Sequence, residues 1–490
     1  MKNNLLFEFR KVTYEIDKHR KFVDINWRAA AGETWAVYGA AGAGKSSLCS
    51  IFSSHRQIKE GVLKLHFLDG KSEDAVYREI VTVSFISPQI HRGESYYQQR
   101  YTPSQIVDAP TVAQYLQIES SADSRVMELL DIFHLEEFKN SACIQLSNGQ
   151  MRKLLIVEAL MKKPSLLILD NPFTGLDMES RRTLNDKLCL LVGKGQKIIF
   201  LVNQLRDLPA CVTHVLELQK FKVARIAVRN ELQLPPNNAV ARSSSPGAVY
   251  PAIYPELLPP LDHPYKLAVT FHNVTIEYGG KRILNNVNWT VRKGDKWALT
   301  GDNGSGKSML LSLITADNTH AYNRNIHLFD RLRGSGETIW DIKKQIGFLS
   351  PEIHLYFTKA LTCAQVVTSG LSDTMLPKTN LNELERQSLE SFFKYFALTD
   401  LSERYFQRIS TAQQRIVLLI RALIKNAEML ILDEPYQFFD EALISHANRL
   451  LNWYCRKKTL IFVTHHDEEI PSIINRKMQM TRGSGEIISF

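Results

Sequence analysis

The chain has 490 residues, a formal net charge of +9 and an ordinary globular composition, with 44% hydrophobic and 23% charged residues. No apolar run approaches the roughly 18 residues that a membrane-spanning helix needs, and residues 1–10 lack the apolar core of a signal peptide. The six cysteines are scattered without a C-x-x-C pair, which argues against a disulfide framework or a zinc site and favours a cytoplasmic protein.

In chain order, the first predicted site is a phosphate-binding loop at residues 39–46, and a second copy lies at residues 301–308. Their sequences, GAAGAGKS and GDNGSGKS, fit G-x-x-x-x-G-K-[ST] and follow strand-like apolar runs. In such loops glycines let backbone N–H groups approach phosphates, the lysine reaches the β- and γ-phosphates, and the serine hydroxyl can bind Mg²⁺. The predicted nucleotide ligands are Gly39, Gly42, Gly44, Lys45, Ser46 and Ser47, and Gly301, Asn303, Gly304, Gly306, Lys307, Ser308 and Met309.

The two loops belong to an internal repeat. When the second loop is laid on the first, Phe271 falls on Phe9 and Gly294 falls on Gly32 without a gap. The chain is therefore interpreted as two copies of one domain, residues 1–233 and 265–490. Residues 234–264 are rich in proline and serine, which predicts an extended, semi-rigid linker.

Within each copy, apolar runs alternate with helical patterns, which predicts an α/β fold. Mostly helical segments are predicted at 112–139 and 381–405, and buried parallel strands at 166–170, 197–202, 430–433 and 459–464. The strands at 166–170 and 430–433 each end in a carboxylate, Asp170 and Asp433.

Further motifs follow the phosphate loops in matching order. The first copy has LSNGQ at 146–150, LDNP at 169–172 and GLD at 175–177, and the second has ISTAQ at 409–413, LDEP at 432–435, FFD at 438–440 and VTH at 463–465. This order resembles the ATP-binding-cassette (ABC) ATPases, with their Walker A, Q-loop, LSGGQ signature, Walker B, D-loop and H-loop. The resemblance covers everything except the linker. It implies two tandem P-loop NTPase domains, each with an α/β core and a helical subdomain.

The resemblance narrows to the tandem ModF type, a family associated with molybdate transport and photorepair. The chain shares with it two fused cassettes without a membrane domain, a Trp-Ala before each Walker A, and a His-His pair after the last strand. This implies ATP and Mg²⁺ as ligands and permease subunits on separate chains. It also implies a cytoplasmic location, at most peripheral on the inner face of the plasma membrane.

In such ATPases the two cassettes close head to tail, so that each ATP contacts the Walker A of one copy and the signature of the other. The resemblance therefore implies two composite sites. The first would use Lys45, Ser46, Asp170 and the second copy's signature, with Gln89 as Q-loop glutamine.

This first site departs from the family at three places. Asn171 replaces the catalytic glutamate, and a neutral amide accepts no proton from water. Asn203 replaces the H-loop histidine, and Thr411-Ala412 replace the signature glycines. Their Cβ atoms would crowd the γ-phosphate, and a β-branched residue resists positive φ. We therefore predict that this site holds ATP without efficient hydrolysis, with neutral drift of Asn171 in a slowly active site as the alternative.

The second composite site retains the family's chemistry. Glu434 would activate water, Asp433 and Ser308 would hold Mg²⁺, and Lys307 and His465 would contact the phosphates. The first copy's signature would complete this site through Ser147, Gly149 and Gln150, with Asn148 expected to tolerate left-handed backbone. Glu352 stands where the family has its Q-loop glutamine, and it would bind Mg²⁺ through its carboxylate, as Gln89 would at the first site. Tyr278 would stack on adenine.

Several alternatives remain open on sequence grounds. Glu434 could be an ordinary strand-end carboxylate, His465 a satisfied surface group, and Tyr278 a core residue. For the whole protein, the leading prediction is an energy-coupling ATPase of a transporter. The main alternative is an ABC ATPase acting on nucleic acid or the ribosome, which the net positive charge permits. A tandem sugar-import ATPase is a third interpretation.

Overall fold

A computed structural model describes most of the chain: residues 5–17, 20–40, 42–52, 58–68, 79–84, 110–118, 124–143, 146, 148–232, 253–260, 264–278, 281–322, 325–351, 353, 357 and 360–488. The chain divides into two compact units, Met1–Ser243 and Ser244–Phe490. The division falls inside the predicted linker, in agreement with the repeat. The predicted site residues Gln89, Ser147 and Glu352 lie outside the described residues.

The first unit contains an antiparallel sheet and a mainly parallel sheet. Its elements are β1 (Leu5–Asp17), β2 (Arg20–Ala30), β3 (Trp35–Gly39), α1 (Lys45–Ser50), β4 (Ile58–Leu65), β5 (Ile80–Ser84), α2 (Val112–Tyr115), α3 (Ser124–Ile132), α4 (Asn148–Met161), β6 (Leu166–Asp170), α5 (Met178–Gly193), β7 (Ile198–Val202), β8 (His214–Gln219) and β9 (Lys222–Val228). The antiparallel sheet has the order β2-β1-β4. The other sheet has the order β5-β6-β7-β3-β8-β9, in which only the pairing of β9 is antiparallel.

The second unit repeats this plan. Its elements are β10 (Leu267–Tyr278), β11 (Lys281–Arg292), β12 (Lys296–Gly301), α6 (Lys307–Ile314), β13 (Ile326–Leu328), β14 (Arg331–Leu332), α7 (Ile339–Lys343), β15 (Ile346–Leu349), α8 (Cys363–Thr368), α9 (Glu383–Tyr395), α10 (Thr411–Leu423), β16 (Met429–Asp433), α11 (Glu441–Tyr454), β17 (Thr459–Val463), β18 (Arg476–Thr481) and β19 (Ser484–Ile488). The sheets have the orders β11-β10-β13-β14 and β15-β16-β17-β12-β18-β19.

The four strands predicted to be buried and parallel are confirmed as β6, β7, β16 and β17. They are apolar on both faces because helices cover both sides of a parallel sheet. In each unit the strand before the phosphate loop, β3 or β12, lies next to the strand that ends at residue 202 or 463. The carboxyl ends of these parallel strands therefore bring the phosphate loop and the strand-end polar residues to one sheet edge.

The helical predictions hold in part. The segment 112–139 contains α2, α3 and a short 3₁₀ turn, and its residues 119–123 lie outside the description. The segment 381–405 contains α9 followed by a 3₁₀ turn at Thr399–Leu401. Within the described part of the chain, no helix is both long enough and apolar enough to cross a membrane.

The end of the predicted linker packs on the second unit. The Tyr254 ring stacks on Trp453, with centroids 4.6 Å apart and an interplanar angle of 5°. The backbone of Glu256 makes two hydrogen bonds to α9, donating to Ser391 Oγ at 2.9 Å and accepting from Ser388 Oγ at 2.8 Å. Residues 253–260, within the predicted linker, thus pack on the rest of the second unit through specific contacts.

Candidate nucleotide-binding and hydrolytic sites

Each phosphate loop joins a strand to a helix at the sheet edge. The loop at 39–46 connects β3 to α1, and the loop at 301–308 connects β12 to α6. The glycine before each lysine, Gly44 or Gly306, has φ of 103°. A Cβ atom on Gly306 would lie 2.9 Å from Ile283 O, so the loop requires glycine there for space as well as for backbone conformation.

The Walker A lysines lie buried over their loops. Lys45 Nζ donates to Gly39 O at 2.7 Å and to Ala40 O at 2.9 Å. Lys307 Nζ donates to Gly301 O at 2.5 Å and to Asp302 O at 2.8 Å. These carbonyls hold each ammonium beside the helix N-terminus, whose backbone N–H groups favour phosphate.

Two further residues predicted to bind nucleotide are Met309 and Tyr278. Met309 lies in the first turn of α6, where N–H groups have no intrahelical partner. Its side chain is buried, and its Sδ lies 3.1 Å from Asn318 Nδ2. The side chain of Met309 therefore belongs to the core, and only its N–H can serve a nucleotide. Tyr278 is the last residue of β10.

The Walker B carboxylate of the first cassette lies beside the phosphate-loop serine. Ser46 Oγ donates to Asp170 Oδ2, and Asn171 Nδ2 donates to Asp170 Oδ1 at 2.7 Å. Burial raises the pKa of Asp170, while the contacts to Ser46, Lys45 and Asn171 lower it. A hydroxyl and a carboxylate that converge on one point supply the oxygen ligands that Mg²⁺ prefers, so these residues fit the metal.

The second cassette brings together the predicted catalytic pair. Glu434 follows β16 and His465 follows β17, and His465 Nε2 lies 3.3 Å from Glu434 Oε1. Burial raises the pKa of Glu434 well above its ordinary value, and the charges of Asp433 and Glu469 act in the same direction. A carboxylate with a raised pKa is a stronger base, which suits proton abstraction from water.

The two base positions have the same backbone. Glu434 has φ of 48° and donates its N–H to Val463 O at 2.9 Å, while Asn171 has φ of 53° and donates to Leu201 O at the same distance. Asn203 is buried at the position that corresponds to His465. The first cassette thus has asparagine at the positions that correspond to Glu434 and His465, and the backbone at the first of them is unchanged.

The signature segments form helix N-termini. Ser410 caps α10, and it shares a capping box with Gln413, whose Oε1 accepts from Ser410 N at 3.0 Å. Thr411 and Ala412 are the first residues of this right-handed helix, and neither has positive φ. The expectation that these signature positions require positive φ is therefore wrong.

The first copy's signature also opens a helix. Asn148 begins α4, and it does not occupy the left-handed backbone that its residue type was expected to accommodate. Gly149 is buried in the first turn, and Gln150 follows it on the same helix.

A buried arginine that sequence reasoning missed stabilises the loop around Glu434. On α10, Arg415 donates to Ser350 O at 2.6 Å, to Asp433 O at 2.8 Å and to Glu434 O at 2.6 Å. On α4, Arg152 donates to the carbonyls of residues 171 and 172 at 3.2 Å. Burial lowers the pKa of each arginine to about 10. Arg152 and Arg415 follow the signature serine of their own cassette at the same spacing, and this repeated position was the signal available in the sequence.

The family-model comparison agrees with this arrangement. Residues 22–174 and 284–437 match the model described as ABC transporter. These matches span more than half of the chain, so the protein belongs to the ABC transporter family of ATP-binding proteins, with two tandem ABC ATPase domains.

The similar proteins include full-length relatives. ModF, an ABC transporter ATP-binding protein of Escherichia coli, is 30% identical over 93% of this chain and 92% of its own length. An ABC transporter ATP-binding protein of Schizosaccharomyces pombe is 30% identical over 97% of this chain and 98% of its own. A model of ribosome-bound archaeal Pelota and ABCE1 matches with a TM-score of 0.59 and 16% identity, over 98% of this chain and 78% of that chain. The last likeness concerns the fold alone.

Proposed function

We propose that this protein is an ATPase in which hydrolysis occurs at one composite site, built on Lys307, Glu434 and His465. The supporting observation is the 3.3 Å separation of Glu434 and His465 in the second cassette, against asparagine at both corresponding positions in the first. The composite nature of the site, with the first copy's Ser147, Gly149 and Gln150 completing it, follows from the family resemblance. So does the retention of ATP at the other site.

The residues of the second cassette have complementary roles. Lys307 and the N-terminus of α6 would bind the phosphates, and Asp433 and Ser308 would hold Mg²⁺. When bound, Mg²⁺ neutralises charge on the phosphate oxygens. Glu434 takes the proton of the attacking water, and His465 positions the γ-phosphate near it. In the first cassette, Asn171 instead donates its amide to the Walker B carboxylate.

Paired substitutions at the base positions test this proposal. Glu434→Gln is expected to lower the rate of ATP hydrolysis at least about 10²-fold, because it removes the general base while keeping the side-chain shape. Asn171→Ala is the matched control and is expected to leave most of the rate. Phosphate release from the purified full chain gives both rates. Retention of most activity by Glu434→Gln, or its loss in Asn171→Ala, contradicts the proposal.

The cellular role that we propose is energy coupling for a transporter whose membrane subunits are separate chains, with molybdate or a similar oxyanion as cargo. It is supported by the similarity to ModF over nearly the whole chain. The protein would then be cytoplasmic and bound peripherally to the inner face of the membrane. Co-sedimentation of the tagged protein with membrane vesicles tests this role. Co-sedimentation with ribosomes at physiological salt would instead favour action on ribosomes, which the charge of +9 permits.

A further inference from the structure

A chain of hydrogen bonds connects the two catalytic loops of the second cassette. Beyond Glu434, the Tyr436 hydroxyl donates to Asn448 Oδ1 on α11. Asn448 Nδ2 donates to Glu469 O at 3.4 Å. The Glu469 carboxylate then accepts from Thr464 Oγ1 at 3.1 Å, next to His465. The chain therefore begins two residues after the general base and ends one residue before the histidine.

Thr464 and Glu469 also close the turn that carries His465. Thr464 is fully buried, and its Oγ1 also accepts the N–H of His466 at 3.1 Å. Glu469 N donates to His466 O at 3.1 Å. The carboxylate and the hydroxyl thus fix the backbone on both sides of His465.

The first cassette has the same fold but different side chains at these positions. Phe173 replaces Tyr436 and Val202 replaces Thr464, so both hydroxyl groups are missing, although both side chains are buried. Asp207, at the position of Glu469, instead pairs with Arg181 at 2.5 Å.

The contacts of the asparagine in this network also differ between the two cassettes. Asn185, at the position of Asn448, accepts the N–H of Ala210 at 3.2 Å through its Oδ1. The first cassette therefore folds without this network of hydrogen bonds. The network occurs in the second cassette, where Glu434 and His465 are present.

We propose that Tyr436, Asn448, Glu469 and Thr464 act as a unit of positioning residues that holds Glu434 and His465 at their 3.3 Å separation. This inference rests on the proposed hydrolysis at Glu434. Buried and satisfied polar networks rigidify their surroundings, whereas apolar replacements of similar shape leave the fold intact. Each hydroxyl therefore serves the geometry of the reaction more than the stability of the cassette.

The test replaces each hydroxyl residue by its counterpart from the first cassette. Tyr436→Phe and Thr464→Val are each expected to lower kcat about tenfold, since small misplacements of catalytic groups have effects of this order or larger. The KM for ATP is expected to stay within about twofold, because the phosphate-binding residues are unchanged. The double variant is expected to lose little more than either single variant, since the residues act as a unit. Thr464→Ser, which keeps the hydroxyl, is expected to retain most of the rate.

Tyr454, which lies on α11 together with Asn448, provides a matched control. Tyr454 is buried, and its hydroxyl donates to Leu423 O at 2.9 Å outside this network. Tyr454→Phe is expected to keep the wild-type kcat, with thermal unfolding measured for all variants. The inference is overturned if Tyr436→Phe and Thr464→Val keep kcat within about twofold of wild type, or if Tyr454→Phe loses as much. Glu434→Gln in the same assay separates the cases. If Glu434→Gln is inactive while Tyr436→Phe and Thr464→Val remain active, only this inference is overturned. If Glu434→Gln is itself active, the proposed function is overturned as well.

Discussion

The buried arginine on the signature helix of each cassette allows a quantitative prediction. Arg415 donates four hydrogen bonds, to the carbonyls of Ser350, Asp433, Glu434 and Pro435, at 2.6–3.3 Å. Arg415→Met replaces the apolar stem of the side chain but removes the guanidinium, and so leaves these buried acceptors without their donor. A buried acceptor that loses its partner costs about 1–3 kcal/mol, partly offset because the guanidinium no longer has to be buried.

From these terms we expect Arg415→Met to lower the free energy of unfolding of the second cassette by about 3–5 kcal/mol. In the first cassette, the described residues give Arg152 two longer bonds of 3.2 Å, to the carbonyls of residues 171 and 172. For Arg152→Met we expect a loss of about 1–3 kcal/mol.

Urea unfolding of the full chain, followed by circular dichroism, gives the two values under one set of conditions. The carbonyl of Glu434 itself is among the acceptors, so Arg415→Met is also expected to lower kcat, and Arg152→Met is not. The reasoning is refuted if Arg152→Met destabilises as much as Arg415→Met, or if Arg415→Met costs less than about 1 kcal/mol.

Three other predictions follow from the sites and the core. In a Glu434→Gln background, Asn171→Glu alone is expected not to restore hydrolysis, because Asn203 still replaces the histidine; phosphate release measures this, and a wild-type rate would contradict it. Gly306→Ala is expected to abolish ATP binding at the second phosphate loop only, so that an equilibrium assay finds one ATP per chain where the unaltered protein binds two, whereas Gly294→Ala, which has positive φ but no atom within 4 Å of an added Cβ, is expected to keep both. Burial lowers the pKa of His446 to about 4, so the unfolded chain binds a proton that the folded chain does not, and stability is lost as pH falls from about 6.5 to about 4. His446→Leu is expected to flatten this loss in urea unfolding at pH 7 and pH 5, and an unchanged pH dependence would contradict the prediction.

The parts of the fold that the sequence predicts are those with local signals. The runs at 166–170 and 459–464 are short and apolar on both faces, which is the pattern of a strand covered by helices on both sides. The phosphate loops have a fixed spacing of glycine and lysine that a nucleotide site requires. The prediction of Glu434 as the general base depends on the motif order of the family and on its position directly after Asp433 at the end of such a strand.

Two features were missed because their partners are distant in sequence. Arg415 binds carbonyls from residue 350 and from residues 433–435, and a basic residue in a helix gives no indication of such partners. The stacking of Tyr254 on Trp453 likewise joins positions that only the folded chain brings together.

The error at the signature had a different origin. The capping box of Ser410 and Gln413 was visible as S-x-x-Q, and it predicts a helix N-terminus and not a left-handed turn. The signature glycines were read as a conformational requirement, although the structure shows ordinary helical residues at Thr411 and Ala412.

The amide of Asn171 has a consequence for how the two pockets depend on divalent cations. It occupies one oxygen of Asp170, and its neutrality leaves the first pocket one negative charge poorer than the second, where Glu434 stands beside Asp433. The extra carboxylate of the second pocket repels the phosphates of ATP unless Mg²⁺ neutralises them, so nucleotide in the first pocket is expected to resist chelators better than nucleotide in the second. Titrating EDTA into the nucleotide-loaded protein would then empty the pockets in sequence, the C-terminal one first.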